Sequence, residues 1–153
     1  MNKILHIILI SLFSFTVISC SEDKEESDTT SVIKQMGGSR QGVELSLSTA
    51  VTTLAGTGSS GSANGTGTSA SFYNPFGITT DGTNLYVGDT KNHLIRQIVI
   101  STGVVTTVAG TGSSGSANGT GTAASFYYPI GITTDGTNLY VADISNHLIR
   151  KIE

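Results

Sequence analysis

"NPFGITTDGTNLYVGDTKNHLIRQI", residues 74–98, returns 54 positions later as "YPIGITTDGTNLYVADISNHLIRKI", residues 128–152. Each copy reads as a set of short strands. "FGITTD" is β-branched and follows Pro75, or Pro129 in the second copy. Asp81-Gly82-Thr83-Asn84 supplies a turn. "LYVGD" alternates, with Leu85 and Val87 on one face and Tyr86 on the other. In "LIRQIV", Leu94, Arg96 and Ile98 share one face, and Ile95, Gln97 and Val99 the opposite one. "STG" turns the chain at 101–103, and "VVTTVAG" at 104–110 reads as a fourth strand.

The repeat extends upstream of this stretch. Residues 51–99 align with 105–153, and 9 of the 49 paired positions differ: 54, 69, 74, 76, 88, 90, 91, 97 and 99 against their partners. A fixed period of this length means stacked or ringed supersecondary units. Four short antiparallel strands per unit are the pattern of a β-propeller blade. The expected architecture is therefore all-β, two four-stranded blades forming part of a propeller.

Each copy also carries a Gly-rich stretch, "LAGTGSSGSANGTGT" at 54–68 and its counterpart at 108–122. Gly56 to Gly61 spells G-x-G-x-x-G, a dinucleotide-binding fingerprint. That fingerprint needs a helix whose N-terminus meets the pyrophosphate. No 3.6-residue apolar period follows it here, so a phosphate cradle is not expected and no cofactor is assigned. No carboxylate lies between Gly56 and Phe72, against a calcium loop. The expectation is a long polar loop between strands, with tight turns at Asn64-Gly65 and Asn118-Gly119.

The quoted stretches resemble NHL repeats. That family's pattern of Pro-x-Gly-Ile, then Tyr-Val-Ala-Asp, then Asn-His-x-Ile-Arg-Lys-Ile is met at Pro129, Gly131 and Ile132, at Tyr140 to Asp143, and at Asn146, His147 and Ile149 to Ile152. The first copy departs at Gly88 and Gln97. The resemblance covers 51–153 and implies NHL-type propeller blades. It does not by itself define an activity, since propellers host many functions.

Some NHL-like proteins resemble propeller lyases and lactonases, so His93 and His147 are weighed as metal ligands. Equivalent side chains on adjacent blades stand about a ring radius apart, whereas zinc needs each nitrogen at about 2.0–2.1 Å. Two equivalent histidines therefore cannot share one ion, and no metal site is assigned. Asp89 and Asp143 precede them by four residues, with Asn92 and Asn146 between, and the set reads as a hydrogen-bonded structural corner. No nucleophile with a base is evident, so no catalytic residue is assigned. Tyr73, Tyr127 and Tyr128, beside the proline strand, are candidates for a binding surface. From 51 to 153 the chain holds two Lys and two Arg against four Asp and one Glu. A phosphate-tracking face needs clustered positive charge, so nucleic acid is not an expected partner.

The N-terminus reads as a processing signal. Lys3 precedes an apolar run over 4–18 that is too short and mixed for a good membrane span. It ends in "VISC", which resembles the lipobox of bacterial lipoproteins. Residues 1–19 are then a signal peptide, and the one cysteine of the chain, Cys20, becomes an acylated N-terminus. Residues 20–42 follow as an acidic, polar tether with five acids among 21–28, too poor in apolar residues to offset its ordering entropy. The two-repeat segment occupies 43–153, as repeats 51–104 and 105–153.

These readings combine into a membrane-anchored binding or scaffolding module of the bacterial cell envelope, at the outer membrane or cell surface. The ligand would be a protein or a glycan. The alternatives are a propeller enzyme of the metal-dependent lyase or lactonase type and a truncated remnant of a larger repeat protein. Two blades do not close a ring. The expectation is a spare outer strand at "VTTLAG", 51–56, and a missing fourth strand at the end of the second blade, joined head to tail in a homotrimer of six blades.

Overall fold

The computed structural model describes residues 45–153. The signal segment 1–19, Cys20 and the tether 20–42 lie outside the described residues. Among the described residues eight strands are present: β1 (Gly65–Thr66), β2 (Pro75–Thr80), β3 (Asn84–Asp89), β4 (Leu94–Val99), β5 (Val104–Ala109), β6 (Pro129–Thr134), β7 (Leu139–Asp143) and β8 (Leu148–Ile152). They form two antiparallel sheets. One has five strands in the order β1-β5-β4-β3-β2, and the other three, β6-β7-β8. The fold is an open, all-β partial propeller, with one blade per sheet.

The blades are offset from the sequence repeats. The fourth strand of blade 1 is β5, which comes from the start of the second repeat. Blade 2 has three strands among the described residues, its fourth missing as expected, and one expectation is corrected. Residues 51–56 carry no strand, and Val51 is 97% exposed. The reason is the same for both: a strand needs a neighbour for its backbone groups. Among the described residues, no strand lies beside 51–56 and no "VTT" segment pairs with the outer edge of β8.

Local chemistry places each hairpin. Asp81 closes the β2–β3 turn. Its Oδ1 accepts from the backbone N–H groups of Thr83 (2.8 Å) and Asn84 (2.6 Å), and its Oδ2 accepts from the Asn84 amide and the Tyr86 hydroxyl. Asp135 repeats the arrangement with Thr137, Asn138 and Tyr140. These donors, Asn84 foremost for Asp81 and Asn138 for Asp135, hold both carboxyls well below the usual carboxylate range. The β3–β4 connection is a single 3-10 turn, Thr90–Asn92, that ends in the left-handed residue His93 (φ 57°).

Each sheet alternates as its sequence demands. On the front face of blade 1, Val87, Ile98, Val105 and Ala70 form a buried cluster, with Ala55, Phe72 and Leu85 packed against it. The back face turns Tyr86 and Ile95 toward blade 2, where they join Ala124, Phe126, Leu139 and Val141 in the second core cluster. Each fully buried side chain of this kind contributes about 1.5–3 kcal/mol. Two glycines let the backbones approach. A Cβ on Gly88 would stand 3.0 Å from the Pro129 carbonyl oxygen, and one on Gly77 would overlap the carbonyl oxygen of Ile130.

Candidate binding surface at the blade junction

The Gly-rich stretch is more than a polar connection. Its end folds back on the sheet, burying Ala70 and Ser71 in blade 1 and Ala124, Ser125 and Phe126 in blade 2. It then docks onto one buried ion pair per blade. Arg96 and Asp89 are both fully buried and meet at 2.8 Å. Arg96 Nη1 also donates to the Ser71 carbonyl, and Nη2 to the Ala63 carbonyl and Asn64 Oδ1. Asp89 Oδ1 accepts from the Tyr73 N–H at 2.7 Å, and Oδ2 from the Asn92 amide at 2.8 Å. Asn92 donates in turn to the Gly61 carbonyl. The loop thus turns carbonyl oxygens inward to a guanidinium, an arrangement with the wrong polarity for a phosphate. Arg150, Asp143 and Asn146 repeat the network in blade 2.

The structure separates the corner residues read from the sequence. Asp89 and Asn92 belong together, but their third partner is Arg96, not His93. Sequence reasoning put Arg96 on the apolar face with Leu94 and Ile98 and gave it no partner. A charged side chain in the middle of a buried face, in both copies, was the signal that called for one. Its Nε is buried with no hydrogen-bond partner, and the guanidinium lies 5.2 Å from the Phe72 ring centroid.

His93 instead reaches across to blade 2. Its Nδ1 accepts from the Tyr128 N–H at 3.2 Å, and its ring stands edge-on to Tyr127 and Tyr128 at 5.6 and 5.0 Å. Those two tyrosines stack at 5.0 Å with an interplanar angle of 29°. Burial pushes the His93 pKa below its ordinary 6.5, and the charge of Asp143 works in the opposite direction. His147, the equivalent residue, is exposed. Tyr73 is exposed on blade 1, with the Lys91 ammonium 4.9 Å from its ring centroid. The result is an aromatic rim: Tyr73 with Lys91 on one blade, and Tyr127–Tyr128 braced by His93 at the junction. Such a rim offers flat apolar faces, one ammonium and three phenol hydroxyls. Among the described residues no group of three His, Cys, Asp or Glu side chains is placed to hold a metal ion.

The fold and this junction describe a segment of a β-propeller, and the known proteins to which the chain is similar include NHL repeat proteins. The chain is 38% identical over 98 residues to NHL repeat-containing protein 2 of Bos taurus, a match covering 61% of this chain and 14% of that relative. Among solved structures it is similar to an auxiliary nutrient binding protein from Bacteroides ovatus (TM-score 0.57, 29% identity, 62% of this chain and 26% of that one). It is also similar to a candidate phosphatase from Bacteroides thetaiotaomicron (TM-score 0.58, 25% identity, 66% and 26%). No family model matches the chain. The resemblance read from the motif residues holds: the relatives are NHL repeat proteins, and the chain spans a small fraction of their length.

Proposed function

We propose that this protein is a binding module held at the bacterial cell envelope by lipid on Cys20, with the aromatic rim of the blade junction as its contact surface. The observation that carries the reading is the stacked Tyr127–Tyr128 pair, fixed by His93 and partly open to solvent. Rigid aromatic faces bind at low entropic cost, and a flat face of a glycan ring or a protein side chain fits against them. The similarity to a nutrient binding protein supports a ligand-binding role, and the lipobox-like "VISC" supports the anchor.

The test is one experiment with two arms. The full chain is produced in a bacterium with lipoprotein processing and partitioned between detergent and water. Intact mass is expected to show an acylated Cys20, and Cys20→Ser to move the protein to the aqueous phase. The detergent-phase protein is then screened on arrays of envelope glycans and peptides. Tyr127→Ala is expected to weaken the best hit by up to about tenfold, the worth of one aromatic contact. A water-soluble product with a free thiol overturns the anchor. Binding indifferent to Tyr127 overturns the surface.

A further inference from the structure

The two blades differ in one structural respect: a slot that is filled in blade 1 is open in blade 2. In blade 1, β5 lies between β4 and the short strand β1, pairing with both. In blade 2 the same place is a cavity of about 510 Å³. Ile149, Arg150, Lys151 and Ile152 of β8 line one wall, and Gly119 and Thr120, the counterparts of β1, line the other. The segment that fills the slot in blade 1 is "VTTVA", 105–109. The chain holds one more copy of that segment, "VTTLA" at 51–55, and no described strand pairs with it; 51–54 are exposed, and Ala55 packs on the blade 1 core as Ala109 does on that of blade 2.

We propose that residues 51–55 of a second copy of this chain add as the fourth strand of blade 2. The register follows from β5, where Ile95 pairs with Ala109, Arg96 with Thr107, Gln97 with Thr106 and Ile98 with Val105. One repeat on, Ile149 pairs with the second copy's Ala55, Arg150 with Thr53, Lys151 with Thr52 and Ile152 with Val51.

The sheet faces support the same contact. The back of blade 2 exposes Ile149 (76%), the equivalent of the fully buried Ile95. The front of blade 1 carries an apolar groove of about 250 Å³ lined by Phe72, Phe76, Ile78, Val87 and Ile98. Phe72, Ile78, Val87 and Ile98 are the equivalents of Phe126, Ile132, Val141 and Ile152, which share a core cluster with Ile95 within the chain. The open faces are therefore copies of two faces that the chain already joins. The positions that differ between repeats fall in step with this. Inside the chain Gly88 and Thr90 meet Pro129, and the Thr90 hydroxyl donates to its carbonyl at 2.8 Å. On the open faces Ala142 and Ile144 replace Gly88 and Thr90, while Asn74 and Phe76 replace Tyr128 and Ile130. The second junction is a variant of the first, with the added methyl of Ala142 and the larger side chains of Ile144 and Phe76. The contact is heterologous, so it closes into a ring when the rotation permits. Three copies give six blades, within the range of about four to eight that propellers use.

Two variants test this on the full chain in mild detergent, with mass read by native mass spectrometry. Thr52→Pro combined with Thr53→Pro spoils the donor strand. Adjacent strand residues point their N–H groups to opposite sides, so one of the two must face β8. Ile149→Glu spoils the acceptor face. Both changes sit at exposed positions, so circular dichroism is expected to match the parent. The parent is expected to run as three copies, and each variant as a single chain. An equal mixture of the two variants is expected to form a one-to-one pair, because the intact strand of one meets the intact slot of the other. A monomeric parent overturns the proposal. So does an oligomer that survives both variants, or a mixture that stays monomeric.

Discussion

Blade 1 and blade 2 are nearly the same sequence in two environments. Leu94 is buried and Leu148 is 42% exposed; Pro129 is fully buried and Pro75 is exposed. The local geometry is nonetheless the same. His93 and His147 both adopt the left-handed conformation, at φ 57° and 56°, and the two Asp–Asn–Arg networks match bond for bond. Turn chemistry and the buried ion pair are thus properties of a blade by itself. Burial of the sheet faces is a property of having a neighbour. A substitution at one repeat position should separate the two.

The largest contrast is expected at glycine. A Cβ on Gly77 runs into the Ile130 carbonyl of the neighbouring blade, whereas on Gly131 it meets only the Ala142 Cβ at 3.5 Å, an ordinary contact. Backbone against backbone cannot be relieved by a rotamer change, so Gly77→Ala should cost about 3 kcal/mol or more. Gly131→Ala should be close to neutral in the single chain. Denaturant unfolding of the two variants measures the gap. If copies join head to tail, Gly131 gains the environment of Gly77, and the neutral variant should instead dissociate the ring.

A smaller contrast is expected at the two arginines. Arg96→Met leaves Asp89 buried without its counter-charge and leaves the Ser71, Ala63 and Asn64 oxygens without their donor. Removing one partner of such a pair costs about 3–5 kcal/mol. The Arg150 side chain is 10% exposed, and water can reach its outer nitrogen. Arg150→Met should therefore cost less, by about 1 kcal/mol, one net hydrogen bond. Equal costs in thermal unfolding would mean that the outer edge of blade 2 is as dry as that of blade 1.

The strands were legible because period-2 alternation and Asp-Gly turns act locally. Leu85 with Val87, and Arg96 with Ile98, fall on the faces that the alternation predicts. The inter-blade glycines were not legible, because nothing near Gly77 in sequence announces that a carbonyl 53 residues away will sit against it. The Gly-rich stretch was read as a passive loop for a related reason. Its composition shows the absence of a helix but not the guanidinium that its carbonyls surround. For the candidate surface, Tyr127 and Tyr128 stood out by type and position. Their brace did not, since His93 looked like the partner of Asp89, four residues away on the same hairpin.

The histidines give the smallest contrast and one that pH can tune. His93→Ala removes the acceptor of the Tyr128 N–H and two edge-on aromatic contacts, for a loss of about 1–2 kcal/mol. His147→Ala removes an exposed ring and should cost little. The same geometry sets a direction with pH. Partial burial of the ring favours the neutral form and outweighs the charge of Asp143, so the folded pKa lies below the ordinary 6.5. In the window between those two values the unfolded chain binds more protons than the folded one, and stability rises with pH. The contribution of His93 is complete above about pH 6.5 and is lost as the pH falls toward the folded value. Unfolding free energies measured at closely spaced pH values across that window should show this slope in the parent and in His147→Ala. The slope should flatten in His93→Ala. A slope that follows His147 instead would place the titrating ring on the open blade and remove the junction as its cause.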